Sequence, residues 1–195
     1  PVVREVIEQA ARTLVGLGAR LEAVTLPSAG HAPGASFAIL ASEALTYHEE
    51  WMKSRIQDYA PDVRDRLRAG AFVSATRYLR AQQARALIRN EVDGLLARLD
   101  VLLTPTTPVA ATPVGQNEVT LNGQVQDVRS SLIRFTRIFN LSGHPVVSAP
   151  CGFTPDGLPV GMQLIGRPFD EATVLRAADA YQRATDWHRR RPPLA

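Results

Sequence analysis

The fold is decided by the stretch Phe139–Gly166, which reads FNLSGHPVVSAPCGFTPDGLPVGMQLIG. Two apolar runs, one around Val147 and one around Leu164, carry the β-branched and long side chains that fit a buried pleated surface. Between them the segment TPDG, residues 154–157, places proline and glycine at the positions where a reverse turn favours them. The stretch therefore predicts two neighbouring strands joined by a turn.

A helix is predicted to lead into this stretch. Residues 130–140 carry apolar side chains at helical spacing, and they run into the corner Asn140-Leu141-Ser142-Gly143-His144-Pro145. Gly143 can adopt the left-handed conformation that ends many helices, and Pro145 forbids further helix. The corner is therefore expected to connect a helix to the first strand.

Other segments repeat the helical pattern. Apolar residues at intervals of three and four predict helices over four stretches: 1–18, 37–51, 61–69 and 74–99. Gly70 is predicted to end the third of them. Asp170 is predicted to cap a further helix, with Phe169 and Val174 forming a hydrophobic staple across its first turn.

Extended segments lie between these helices. Arg20–Pro27 alternates polar and apolar residues and Asp100–Thr104 is an apolar run, so both are predicted as strands. Asn122-Gly123 is a strong hairpin signal. The proline-rich Thr104–Pro113 is predicted as an irregular loop at the carboxyl end of a strand, where open α/β sheets place ligands. The alternation of helices and strands predicts an α/β fold.

Several motifs resemble the C-terminal part of the amidase signature family. They are the corner, PCGF at 150–153, GLPVGMQLIG at 157–166 and the upstream DVLLTPTTP at 100–108. The resemblance implies part of a three-layer α/β/α sandwich with a mixed β-sheet, in an enzyme that hydrolyses a small carboxylic amide to the acid and ammonia or an amine. The family's nucleophilic serine, second serine and lysine belong to its earlier half, so the resemblance implies no catalytic residue here.

The 195 residues are expected to form a single domain, 1–195. The sequence starts at Pro1 and enters a helical pattern at once, so we expect the C-terminal portion of an amidase-type domain whose N-terminal catalytic half is absent. That missing part of the same protein and a small-molecule amide are the expected partners, and a homodimer is left open.

Five residues invite a catalytic interpretation that their surroundings do not support. Ser130-Ser131 lacks flanking glycines and lies at a predicted helix start, where serine usually serves as a cap. Lys53 lies at an exposed helix end, with no burial to lower its pKa. His144 and Cys151 have no partner near them in the sequence and are interpreted as structural residues.

The residues that the resemblance brings near the site belong to the wall of the acyl pocket. They lie in the loop Thr104–Thr107 and in the corner, and we predict Thr106, Asn140 and Gly143 as substrate-binding residues. Cys151 is the single cysteine and the four histidines show no ligand spacing, so neither a metal nor a cofactor is expected.

Composition excludes several classes of partner. The net charge is +3, but the basic residues are scattered rather than clustered, which argues against nucleic-acid binding. No apolar run approaches the roughly 20 residues of a membrane span, and no signal-peptide pattern is present. A cytoplasmic protein without a membrane partner is therefore expected.

Three functions stay open at this point. The first is a hydrolytic amidase. The second is the subunit of the tRNA-dependent glutamyl/aspartyl amidotransferase that frees ammonia from glutamine or asparagine. Such subunits resemble this chain but carry an acidic residue about seven positions before the corner, where Ile133 stands here, and a tyrosine-rich segment in place of Ser74–Arg80. These departures favour the amidase. The third is a non-catalytic scaffold with the same fold.

Overall fold

The computed structural model describes residues 1–192. Its contacts divide the chain into two compact units. The first contains Pro1–Thr25 and the described part of Asp93–Ala195, and the second contains Leu26–Val92. A unit in this sense is a cluster of contacts that need not fold by itself, so the expected single domain over 1–195 stays a prediction.

Helices and strands alternate along the chain. The helices are α1 (Val2–Gly16), α2 (Ala32–Ser54), α3 (Pro61–Ala69), α4 (Ala75–Leu96), α5 (Val128–Leu132), α6 (Thr136–Ser142) and α7 (Glu171–Arg183). The strands are β1 (Leu102–Pro105), β2 (Glu118–Leu121), β3 (Gln124–Asp127), β4 (Val146–Phe153) and β5 (Pro159–Ile165). Within residues 1–192, none of the helices has both the length and the apolar character needed to cross a membrane.

The central sheet of the first unit has the strand order β1-β5-β4, with antiparallel pairs throughout. Leu164 lies opposite Leu103 on one side and Val147 on the other. The turn between β4 and β5 closes with a hydrogen bond from the Gly157 N–H to the Thr154 carbonyl at 2.9 Å, and Gly157 has φ +81°. The predicted pair of strands and the α/β class are therefore confirmed.

One face of the central sheet carries the core of the first unit. Met162 and Leu164 of β5 are fully buried there, and α1 and α7 contribute Ala10 and Tyr181 to the same cluster. Each large apolar side chain buried in this way stabilises the fold by about 1.5–3 kcal/mol. The Tyr181 hydroxyl donates to the Cys151 carbonyl at 3.1 Å, so even the polar end of that ring is satisfied.

The first unit also contains a small hairpin. Strands β2 and β3 pair antiparallel, and the connecting Asn122 and Gly123 have φ values of +51° and +78°. Positive φ at both positions is what a two-residue hairpin turn that follows the strand twist requires. The hairpin predicted from Asn122-Gly123 is confirmed.

The second unit is helical. Helix α2 buries a stripe of small residues, including Ala35, Ala38 and Ala41. At the stripe's end Gly70 lies so close to the Ala41 carbonyl that a Cβ at Gly70 would stand 2.2 Å from its oxygen. The Ser28 N–H donates to the Glu91 carboxylate at 2.9 Å, which fixes the short 3₁₀ turn before α2 against α4.

Three local predictions were wrong. Arg20–Pro27 is not a strand: among residues 1–192 no strand pairs with it, and Leu21 is 56% exposed. The helix predicted over 130–140 is split into α5 and α6 by a turn at 133–135, where the β-branched Ile133 and the aromatic Phe135 lose side-chain freedom in a helix. The staple is absent because Phe169 is 96% exposed, although Asp170 does cap α7.

Candidate functional site

The central sheet has a polar side opposite its core. Side chains alternate along a strand, so Gln163 points away from the face that takes Met162 and Leu164. In the register Gln163 lies between Thr104 of β1 and Ser148 of β4. These three polar side chains, with Thr106 just past β1, form what we call the polar row.

Hydrogen bonds tie the polar row together. The Gln163 Nε2 donates to the Thr104 Oγ1 at 2.8 Å and to the Pro105 carbonyl at 3.3 Å. The Thr106 N–H donates to the Gly161 carbonyl at 2.8 Å, and the Thr106 and Ser148 hydroxyl oxygens lie 2.8 Å apart. Since Ser148 is exposed, the pair formed by Thr106 and Ser148 can offer a hydroxyl proton or lone pair to a ligand.

The corner lies at the start of β4. Gly143 has φ +77° and ends α6, with its N–H donating to the Phe139 carbonyl at 2.9 Å, as the sequence predicted. Asn140 and Gly143 are both exposed. Thr106 contacts Ser148 of β4, whereas Asn140 lies in α6 and Gly143 at its end, in the corner that precedes this strand. Their substrate role stays a prediction.

Hydrogen bonds connect two buried side chains of the corner, Ser142 and His144, to the partly exposed Asp93. His144 Nδ1 lies 2.9 Å from the Ser142 Oγ, and its Nε2 lies 3.1 Å from the Asp93 Oδ1. A serine, a histidine and an aspartate in this order resemble a hydrolytic triad. Ser142 is only 1% exposed, however, so a substrate carbonyl cannot reach its hydroxyl. These hydrogen bonds stabilise the corner, in agreement with the interpretation of His144 as a structural residue.

The surroundings of Ser130 and Ser131 do not support a catalytic role. Ser131 is 1% exposed and its hydroxyl has no hydrogen-bond partner within residues 1–192, whereas Ser130 is exposed. The expected capping role was wrong, because Asp127 is the N-cap of α5 and accepts the Ser130 N–H at 2.7 Å. Ser130 is thus the capped residue rather than the cap.

The cap predicts a pH-dependent stability. The pKa of Asp127 is lowered from 3.8, chiefly by the hydrogen bond from the Ser130 backbone. A lowered folded-state pKa means stabilisation that is present above the unfolded value and lost as pH falls through the folded one. We expect Asp127→Ala to lower the urea midpoint at pH 7, and the difference from wild type to shrink below pH 3.8.

Asp127→Asn is the matched control, since asparagine caps helices without a titratable group. Urea titrations followed by circular dichroism at pH 7, 4 and 3 would measure all three proteins. An Asp127→Ala difference that did not change with pH would contradict the carboxylate cap.

Two other residues also lack catalytic surroundings. Lys53 has a side chain 62% exposed, and hydrogen bonds to Glu49 and Glu50 raise its pKa, so it is a poor base. Burial raises the pKa of the Cys151 thiol to about 12, and its Sγ donates to the Val160 carbonyl. The surroundings of both side chains agree with the expectation that neither acts as a catalyst.

Sequence reasoning missed Gln163 and Ser148. Gln163 is the single polar side chain within the run Val160–Ile165, and that interruption of an apolar pattern was a usable signal. Its partners were not predictable, because Thr104 is 59 residues away in sequence. Nor was Asp93, which lies 51 residues before His144.

Comparison with known proteins gives a consistent result. The family model described as Amidase matches residues 1–175. A glutamyl-tRNA(Gln) amidotransferase subunit of Chloroflexus aggregans is 41% identical over 97% of this chain and 43% of its own length. An amidase of Pseudomonas putida is 39% identical over 100% of this chain and 42% of its own length. This chain therefore spans about two fifths of these relatives.

Solved structures that resemble this chain likewise include an amidase and an amidotransferase subunit. A crystal structure of an amidase has a TM-score of 0.85 at 30% identity, covering 93% of this chain and 41% of that one. A chain from a vestigial protein complex, studied for the origins of an s-triazine catabolic enzyme, has a TM-score of 0.84 at 35% identity, covering 94% and 39%. The glutamyl-tRNA(Gln) amidotransferase subunit of Thermotoga maritima has a TM-score of 0.63 at 30% identity, covering 94% and 39%.

Proposed function

This chain belongs to the amidase family, and from that premise we propose that it is part of an enzyme that hydrolyses a small carboxylic amide to the acid and ammonia or an amine. The serine nucleophile, second serine and lysine of the mechanism lie outside these residues, in an N-terminal part of the same protein. Two observations support this: the candidate catalysts here lack catalytic surroundings, and the relatives are more than twice as long.

The proposed contribution of this chain is the wall of the acyl pocket. The Thr106 hydroxyl lies beside Ser148 of β4, and Asn140 and Gly143 are exposed in the corner that precedes this strand, where we expect all three to meet a substrate held by the rest of the enzyme. Polar groups of this kind fix the orientation of a small ligand and select its shape.

The choice of an amidase rests on the match to the Pseudomonas putida amidase. That match extends over 195 residues, which is the length of this chain, so the two align without additional residues. The match to the amidotransferase subunit of Chloroflexus aggregans extends over 216, at least 21 more than this chain has. At equal identity of 30%, the solved amidase also superposes better, with a TM-score of 0.85 against 0.63.

One observation favours the second candidate, the ammonia-releasing subunit of the tRNA-dependent amidotransferase. The Chloroflexus aggregans protein is 41% identical, slightly above the 39% of the amidase.

The two candidate functions imply different partners. For the amidotransferase the partners would be the other subunits of the complex. For the hydrolase the partners are the amide, the N-terminal part and, as an alternative, a second copy. A cytoplasmic location is proposed for either.

The proposed function is tested with the full-length protein and three substrate classes: aliphatic amides, aryl amides and glutamine. We expect turnover of an aliphatic or aryl amide and none of glutamine, measured as released ammonia or amine. Ser130→Ala and Ser131→Ala should keep kcat within about threefold of wild type, because neither hydroxyl takes part in the chemistry. Turnover of glutamine alone would support the amidotransferase, and loss of activity in Ser130→Ala would refute the placement of the nucleophile outside this chain.

A further inference from the structure

Gln163 is a polar side chain in an apolar strand. It is 1% exposed, and its neighbours Met162 and Leu164 are fully buried. A buried primary amide is costly unless its donors and acceptors are satisfied, so its hydrogen bonds are required by its position. An apolar residue could fill this place in the sheet at lower cost. The amide therefore needs an explanation beyond packing.

The bonds of Gln163 fix one short piece of chain. The Pro105 carbonyl can only accept a proton, so the amide nitrogen rather than the oxygen must face it. That nitrogen donates to the Pro105 carbonyl at 3.3 Å and to the Thr104 Oγ1 at 2.8 Å. The Thr104 hydroxyl in turn donates to the Pro105 carbonyl at 3.1 Å. The three groups form a closed arrangement around the last peptide of β1.

This piece of chain cannot be held by the sheet alone. Pro105 has no N–H to give to the ladder, and a second proline follows at Pro108. The side chain of Gln163 supplies a bond at the residue where the strand ends. One residue later the Thr106 N–H bonds to the Gly161 carbonyl at 2.8 Å.

These bonds fix the position of the Thr106 hydroxyl. Thr106 Oγ1 lies 2.8 Å from the Ser148 Oγ. Gly161 leaves room for this contact, since a Cβ there would lie 3.0 Å from the Thr106 Oγ1 and 3.5 Å from the Ser148 Oγ. Gln163 on β5, two residues from Gly161, therefore determines where the pair Thr106 and Ser148 stands on the polar row.

We propose that Gln163 is a positioning residue for substrate recognition, acting through Pro105 and Thr106 on the hydroxyl pair, which takes a polar group of the acyl part of the amide. This inference rests on the proposed function, under which Thr106 lines the acyl pocket. It adds Gln163 as the support of that residue and Ser148 as the second hydroxyl.

The test uses full-length enzyme with Gln163→Met, which keeps the side-chain volume and removes both donors. Gln124→Met on the exposed hairpin strand β3 is the matched control. We expect KM for the best amide to rise by roughly ten- to a hundredfold in Gln163→Met, since a small misplacement of a contact has effects of that size. kcat should change less than threefold, and the control should match wild type.

Two further measurements exclude a merely structural effect. Labelling by a small fluorophosphonate reports the serine nucleophile without using the acyl pocket, so its rate should stay within about twofold of wild type. Thr106→Val should raise KM as Gln163→Met does, and the double variant should be no worse than either, because both act on one contact. Additive losses, or an unchanged KM in Gln163→Met, would overturn the inference.

Hydrogen exchange followed by mass spectrometry separates this inference from the proposed function. In Gln163→Met the amide of Thr106 and those just after it should exchange about tenfold faster, while the amides of β5 keep their rates. This result does not depend on activity. Wild-type protein that turned over no amide would refute the proposed function alone, whereas unchanged exchange at Thr106 would refute the positioning role alone.

Discussion

Replacing Gly70 with alanine is expected to destabilise the protein by about 2–3 kcal/mol, the upper part of the range for overpacking. The added Cβ would stand 2.2 Å from the Ala41 carbonyl oxygen and 2.8 Å from the Leu45 Cβ. A backbone carbonyl in helix α2 cannot rotate away as a side chain would. Helix α2 and the segment that contains Gly70 must therefore move apart, and the packing around the buried Ala38 and Ala41 of α2 weakens.

Gly94→Ala is the control for this substitution. Gly94 lies in α4, and within residues 1–192 nothing beyond its chain neighbours and its own helix backbone lies within 4 Å of an added Cβ there. Alanine at such a site should stabilise by about 0.5–1 kcal/mol, because it reduces backbone freedom in the unfolded chain. Urea unfolding followed by circular dichroism measures both. A Gly70→Ala protein as stable as wild type would show that the close approach of Gly70 to Ala41 is absent.

Gly70 also shows what a local pattern cannot tell. The sequence predicted it as the glycine that ends a helix, and α3 does end at Ala69. Its backbone is right-handed, however, with φ −60°, so no left-handed cap requires glycine there. Glycine is required because the Ala41 carbonyl, 29 positions earlier in the sequence, lies too close for a Cβ. Such a long-range contact cannot be predicted from the residues next to Gly70.

Features that depend on neighbouring residues were predictable. The turn at Gly157, the left-handed cap at Gly143 and the hairpin at Asn122 each follow from backbone preferences of the residues involved, and the structure has all three. Arg20–Pro27 failed for the opposite reason. A strand needs a partner as well as alternation, and a partner is a property of the fold rather than of the segment.

Some parts of the candidate site could likewise be predicted from the sequence and others could not. The loop after β1 and the corner could be predicted, because proline and glycine mark where strands and helices stop. The polar row could not, because the pairing of Thr104 with Gln163 and of Gln163 with Ser148 follows from the register of the sheet. The motifs predicted the family, which the match over residues 1–175 confirms, but they did not predict which amide is the substrate.

The second large effect is expected from His144. Its side chain is fully buried, with both ring nitrogens within hydrogen-bond distance of partners, at 2.9 Å from Ser142 and 3.1 Å from Asp93. A carboxylate only accepts, so Nε2 donates to Asp93. The Ser142 hydroxyl lies 2.9 Å from Nδ1 and 3.3 Å from the Phe139 carbonyl oxygen, so the bond to the ring is the shorter of its two contacts. The imidazole is therefore held by two different bonds from opposite sides.

His144→Ala is expected to destabilise the protein by about 3 kcal/mol, as the sum of a cavity and the loss of the shorter of the two hydrogen bonds of the buried Ser142 hydroxyl, which keeps only the 3.3 Å contact to the Phe139 carbonyl. Most of this cost should fall on the side of Ser142, which is 1% exposed, because Asp93 is 42% exposed and can be hydrated. Urea unfolding would measure it, with His31→Ala as the control, since His31 is exposed.

A double-mutant cycle assigns the loss to the bond rather than to the cavity. Ser142→Ala alone should cost about 1 kcal/mol, and it should cost close to nothing once His144 is alanine, giving a coupling of about 1 kcal/mol between the two residues. Because the bond lies within the corner, both single variants should also speed hydrogen exchange at Gly143 and leave the hairpin of β2 and β3 unchanged. Additive losses of Ser142→Ala and His144→Ala would mean that the imidazole only fills space, and the corner would then owe its shape to Gly143 and Pro145 alone.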